Sequence, residues 1–340
     1  RANAITFTGG TNSLTLQPGS AITGNVVAFS AADTLALGGS GNASFDVSNI
    51  GATVQYQNFG VFQKTGTSTW TLTGTTTATT PWAINGGTLA VSADNNLGAA
   101  SGGLSFNGGT LQLLGPGLFI SGRAITLNAG GGTIDTNGNG GVLTGPIGGV
   151  GGLTKTGIGD LAIVGPSTYS GPTSVLLGTL GAGAINAFSP TSAFTVASGG
   201  ALNLNGFDQT IGSLAGAGLV ANDFAAATLT TGGNGGSTTF SGVIADGFAP
   251  LSVTKIGNGT FTLSGISSYT GATTVNGGIL SVTATSRRRA ELQSIRAPCS
   301  TAPALFRTSP SMAAAAWRPA CRRARSPSTA TSGWRAPRSI

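Results

Sequence analysis

The side chains that could do chemistry are few and of few kinds. None of the 340 residues is His, and acids and bases together make up 7% of the sequence, where an ordinary globular domain carries about 25%. Without imidazole there is no His-dependent triad, no His-ligated zinc and no imidazole acid–base scheme. Up to residue 285 the remaining candidates are three Lys and eight Asp, with no Glu and no Cys. Asp33, Asp46, Asp94, Asp135, Asp160, Asp208, Asp223 and Asp246 stand singly, at gaps of 13 or more. Polysaccharide-cleaving chemistry needs paired carboxylates with a nearby base. Stacking could bring Asp135 and Asp160 near one another, but both read as turn residues. Asp135-Thr136-Asn137-Gly138-Asn139-Gly140 begins like a calcium loop, yet Pro146 stands where the bidentate Glu would be, so a turn is the reading. Gly157-x-Gly159 lacks the Gly-Lys-Ser/Thr context of a phosphate loop. Trp70 and Trp82 could stack on sugars, but packing is the expectation. No residue is assigned a catalytic, cofactor-binding or metal-ligating role, no cofactor is expected, and the protein is read as not an enzyme.

The three Lys mark a repeat. Lys64-Thr65-Gly66 leads into Trp70-Thr71-Leu72-Thr73-Gly74, Lys155-Thr156-Gly157 into Leu161-Ala162-Ile163-Val164-Gly165, and Lys255-Ile256-Gly257 into Phe261-Thr262-Leu263-Ser264-Gly265. Farther on, at equal distances from each Lys, stand Gly87-Thr88-Leu89, Gly178-Thr179-Leu180 and Gly278-Ile279-Leu280. A catalytic base is not expected once per repeat, so Lys64, Lys155 and Lys255 are read as solvated charges at strand edges.

These residues must be positioned by strands. Gly-Gly-Thr-Leu/Ile recurs at 86–89, 108–111 and 131–134, a period of 22 to 23 residues, and the segments between alternate apolar with Thr or Ser. That is the signature of a solenoid rung built of short strands. The fold class is therefore all-β, a parallel β-helix of roughly twelve rungs over residues 1–285. Leu89, Leu111 and Ile134 should stack in one inward ladder, Thr and Ser should face water, and Gly and Asn should supply positive φ at the corners.

Gly151–Leu180 (GGLTKTGIGDLAIVGPSTYSGPTSVLLGTL) and Leu251–Val282 resemble the autotransporter-associated β-strand repeat, also called the passenger-associated transport repeat. The resemblance implies a right-handed β-helix, a passenger of the type V secretion system, exported through an outer-membrane translocator barrel and displayed on or released from a Gram-negative cell. It implies a structural and display function, with adhesion and surface ligands of unknown identity, and brings no catalytic residue. The alternative is a carbohydrate-active β-helix enzyme, a lyase or hydrolase. A barrel and a signal sequence are expected in a complete family member, and neither is read in this sequence.

The net charge of +7 is unevenly spread. Residues 1–285 hold five basic and eight acidic side chains, a net of −3, whereas eleven Arg and Glu291 give +10 from residue 286 onward. Residues 286–340 are rich in Arg, Ala, Ser and Pro and contain a single Gly. This tail is read as a frame-shifted, disordered continuation, without nucleic-acid binding, and Cys299 and Cys321 as incidental to the body. A polyanion-binding arm is the functional alternative.

Overall fold

The computed structural model describes residues 2–284, together with the backbone of Ile295–Arg296 and Leu305–Thr308. The expectations for the rest of 286–340, including both Cys, lie outside the described residues. Every strand pairing is parallel, and the strands wind into a solenoid of about thirteen turns. Three runs of stacked strands can be followed. The first face carries Ser13–Leu16, Thr34–Leu37, Val61–Lys64, Trp82–Ile84, Leu104–Phe106, Ile125–Leu127 and Ile147–Gly149. In sequence order the same place is taken at the other end by Gln209–Thr210, Ala227–Thr231, Leu251–Lys255 and Thr273–Val275. The second face runs from Ala43–Asp46 through Thr69–Thr73, Thr88–Val91, Thr110–Leu113, Gly132–Asp135 and Leu153–Thr156. It continues to Thr260–Leu263 and Ile279–Val282. The third holds Phe119–Ser121, Gly141–Leu143, Asp160–Ile163 and their successors. Two long strands, Thr173–Ala182 and Ala193–Asn203, turn the corner between the second and third faces without a break.

The expected ladder is present: Leu89 pairs with Leu111 and Leu111 with Ile134, all buried. Alternation makes it so, because a period of two sends every second residue inward and parallel stacking superposes those positions from rung to rung. Each fully buried Leu or Phe in such a column contributes about 1.5–3 kcal/mol. One contiguous apolar core results, from Leu16 to Leu280. The sequence period carries across faces less simply. Leu180, in register with Leu89 by counting, stacks on Leu161 of the third face, while Ile134 is followed on the second face by Lys155 and then Val175. Beyond Val282, Leu305–Thr308 pairs with Ile279–Val282 and Ile295–Arg296 with Thr273–Thr274, so the parallel pairing extends into the Arg-rich segment.

Candidate functional site

The three Lys are not solvated. Lys64, Lys155 and Lys255 are 0%, 0% and 1% exposed, which overturns their reading as edge charges. Strand parity puts them inside. In Phe62-Gln63-Lys64, Leu153-Thr154-Lys155 and Val253-Thr254-Lys255 the first and third residues are buried and the middle one points outward. Each Lys thus occupies a core position: Lys155 stacks between Ile134 and Val175, Lys64 between Leu37 and Ile84, and Lys255 between Thr231 and Val275.

A buried ammonium must be paired or hydrogen-bonded. Here the partners are backbone carbonyls at the corner that follows the Lys strand. Lys155 Nζ donates to Thr156 O at 3.0 Å, Gly157 O at 2.8 Å and, one rung on, Leu177 O at 2.9 Å. Lys255 Nζ repeats the pattern with Ile256 O at 2.6 Å, Gly257 O at 2.9 Å and Gly277 O at 3.2 Å. Lys64 Nζ takes Thr65 O at 2.7 Å and Gly86 O at 3.1 Å. The cross-rung acceptor lies 22 residues after the Lys every time. Each ammonium therefore ties one corner to the next. Burial pulls Lys155 down to about 8, against the upward pull of Asp160 and Asp135, and pulls Lys64 to about 8 and Lys255 below its usual range.

The glycine that follows the cross-rung acceptor completes the corner. Gly87, Gly178 and Gly278 have φ of 60°, 68° and 66°, a region that disfavours a side chain. A Cβ at Gly178 would meet the Gly159 carbonyl and lie 2.5 Å from Gly157 O, and one at Gly87 would lie 2.6 Å from the Lys64 ammonium. The sequence pattern Lys … Gly is thus a steric and electrostatic unit.

Most of the remaining candidates also serve the scaffold, while Asp160 stays exposed. Asp135 caps its own turn, with Oδ1 accepting from Asn137 N at 2.9 Å and Oδ2 from Gln112 Nε2 at 2.8 Å. Asp135 and Asp160 both act electrostatically on Lys155, as their spacing of about one rung allowed, but the ammonium between them is enclosed by carbonyls. Trp70 is 3% exposed, with Nε1 donating to Gly38 O at 2.8 Å, and Trp82 is fully buried against the Phe62 ring at 5.6 Å. Neither offers a face to a sugar. Asp33 is buried; desolvation pushes its carboxyl up, but hydrogen bonds from Asn12, Phe29 and Ser30 outweigh this and hold it below the usual range.

Sequence reasoning missed one constellation. The Arg123 guanidinium, fully buried, makes a bidentate pair with Asp94 at 2.9 and 3.0 Å and also donates to the carbonyls of Asp94, Gly98, Ala99 and Gly102. This is the one ion pair among the described residues. The partners are 29 residues apart, so no local motif announces them. Large apolar side chains do reach solvent elsewhere, including Phe248 at 93% and Phe224 at 83%, the latter with φ of 70°. Phe248 N donates to Asp223 Oδ1 at 3.2 Å, which places these two Phe on neighbouring rungs of one corner.

The repeated side chains of this parallel β-solenoid thus serve its own corners. The passenger-associated-transport-repeat family matches at residues 62–91, 153–182 and 253–282, the three segments that open two residues before each buried Lys. Over 210 residues the protein is 37% identical to the Adhesin BmaC autotransporter of Brucella suis biovar 1 (strain 1330). That alignment takes in 57% of this chain, which spans about 6% of the length of that relative. No solved structure matches the protein. The protein thus carries three passenger-associated transport repeats on a parallel β-solenoid and is similar over part of its length to an autotransporter adhesin.

Proposed function

We propose that this segment is a non-enzymatic stalk that supports export and surface display in a Gram-negative bacterium, in a passenger whose activity is adhesion. On this reading an outer-membrane translocator barrel is its export partner, and the passenger is held at or released from the cell surface. The observation that carries the proposal is the use of the ionic side chains. All three Lys and the buried Arg123 are committed to backbone carbonyls, so among the described residues the cations that could serve as bases or bind an acidic substrate are part of the scaffold. The similarity to an adhesin supports the adhesive part of the reading.

The test is to fuse the segment to a heterologous translocator barrel and display it on a bacterium that does not otherwise adhere. External protease should reach the segment on intact cells, and adhesion to host-cell monolayers should exceed that of the barrel alone. Surface exposure without added adhesion would confine the function to display, and retention inside the cell would overturn the proposal. Depolymerisation of an acidic polysaccharide by the purified segment would favour the lyase or hydrolase alternative, for which Asp135 and Asp160 beside Lys155 are the residues to replace.

A further inference from the structure

Eight Asn–Gly pairs lie in residues 1–285, at Asn85, Asn107, Asn137, Asn139, Asn205, Asn234, Asn258 and Asn276. Such a pair can deamidate without an enzyme. The Gly nitrogen loses its proton to solvent base and bonds to the Asn Cγ, the bond from Cγ to the amide nitrogen Nδ2 breaks, and ammonia leaves. Water then opens the cyclic imide to aspartate or isoaspartate. Water is the only co-reactant. Closure requires the Asn side chain to rotate and the Gly N–H to be free, so every hydrogen bond to either group must first break.

The structure divides the eight. Asn107 Oδ1 accepts from Gly130 N at 2.9 Å, and Gly108 N is bound to Gly131 O at 2.7 Å. Asn139 Nδ2 donates to Leu113 O at 2.9 Å. Asn205 Nδ2 donates to Ala182 O at 3.0 Å, and Gly206 N to Asn222 Oδ1 at 2.8 Å. Asn234 is held at both ends of its amide, by Ser213 Oγ at 2.9 Å and Gly236 N at 3.1 Å. At Asn85, Asn137, Asn258 and Asn276, by contrast, neither the side-chain amide nor the next N–H has a hydrogen-bond partner among the described residues, and all four Asn are exposed. Exposure alone does not sort the set, since Asn107 and Asn234 are exposed too.

We propose that Asn85, Asn137, Asn258 and Asn276 are spontaneous deamidation sites of the folded solenoid, and that the other four Asn–Gly pairs are shielded by their hydrogen bonds. Three of the free sites adjoin the lysine corners: Asn258 directly follows Gly257, whose carbonyl accepts from Lys255, and the other two precede cross-rung acceptors. Gly86 and Gly277, which follow Asn85 and Asn276, supply the cross-rung carbonyls of Lys64 and Lys255. Isoaspartate at 85 or 276 lengthens the backbone beside that carbonyl by a methylene and places a carboxylate near the ammonium. The middle repeat has Leu176-Leu177 at this place, so its corner does not age by this route. Four conversions would also add four negative charges to a body whose net charge is −3.

The test is peptide mapping by mass spectrometry, with isoaspartate detection, of the full-length protein aged in mildly alkaline buffer, beside a sample kept unfolded in denaturant. In the folded protein the four free sites should convert several-fold faster than Asn107, Asn139, Asn205 and Asn234, and in denaturant the eight rates should converge. Equal rates in the folded protein, or conversion of Asn107 or Asn234 at the rate of Asn85, would overturn the proposal. So would a spread of rates that persists on unfolding, because it would place the cause in local sequence.

Discussion

The first and second repeats use the same residues at different places on the solenoid. Lys64 lies on the first face and ties the corner that leads to Trp70 on the second, whereas Lys155 lies on the second face and ties the corner that leads to Leu161 on the third. The copies begin 91 residues apart, but four rungs counted from Lys64 through Ile84, Phe106 and Leu127 end at Gly149 on the first face, so Lys155, six residues farther on, falls on the second. The repeat therefore encodes a corner and the turn stacked upon it, and not a fixed position on the helix. Chemistry differs with place as well. Lys155 has three carbonyl partners and two carboxylates within electrostatic reach, and its cross-rung acceptor is Leu177 in a strand that runs straight through the corner. Lys64 has two carbonyl partners, and its acceptor Gly86 lies outside any strand.

The largest expected effect is at the corner glycine. Gly178→Ala puts a methyl group against fixed carbonyls at positive φ and should cost upwards of about 3 kcal/mol, read as a fall in the midpoint of urea unfolding. A cost under about 1 kcal/mol would mean that the corner is looser than its geometry implies.

Lys155→Met should come next, at about 2–4 kcal/mol, because three part-buried carbonyls lose their donor. Lys64→Met should cost less, about 1–2 kcal/mol, with one acceptor fewer. Urea midpoints of the two variants at one pH make the comparison, and the reverse order would break the contrast between the repeats. Lys→Gln does not rescue either site, since the shorter amide stops short of the next rung.

A pH series sharpens the same point. Lys64 and Lys155 titrate near 8 in the folded protein and near 10.5 when unfolded, so between these values the unfolded state binds more protons and stability rises with pH. Tyr169 acts in the opposite sense. Burial pushes its hydroxyl from 10.0 to about 12, so its contribution is present below pH 10 and is lost as pH rises toward 12. Thermal unfolding should accordingly show greatest stability between about pH 10 and 10.5, where the rise from the Lys meets the fall from Tyr169, and Lys155→Met should flatten the rising limb. The smallest effect is expected from Asp160→Asn, which removes one carboxylate that favours the charged Lys155. It should leave stability within about 0.5 kcal/mol at neutral pH while the rising limb begins at lower pH.

Much of the fold was legible because the alternation and the Gly-Gly-Thr period are local. Leu89, Leu111 and Ile134 could be stacked by counting alone, and they do stack. The lysine corners were legible in part. Parity puts Lys155 on the same inward side as Leu153, against the general tendency of Lys to seek water. The exposed carbonyls of a tight corner, which reverse that tendency, belong to the rung above as much as to the Lys strand. The Arg123–Asp94 clamp and the advance by one face were not legible for a related reason. Both depend on how residues 20 to 30 apart superpose, and corners of unequal length set that superposition.

The central claim, that the repeat lysines are buried corner ties, is tested most directly by amine labelling. The protein has only three Lys, so acylation of the native protein under brief, dilute reagent, mapped by mass spectrometry, reads all three at once. Modification should be confined to the α-amino group in the folded protein, with Lys64, Lys155 and Lys255 labelled only after unfolding. Ready labelling of all three in the folded protein, at the rate of the unfolded one, would contradict the account.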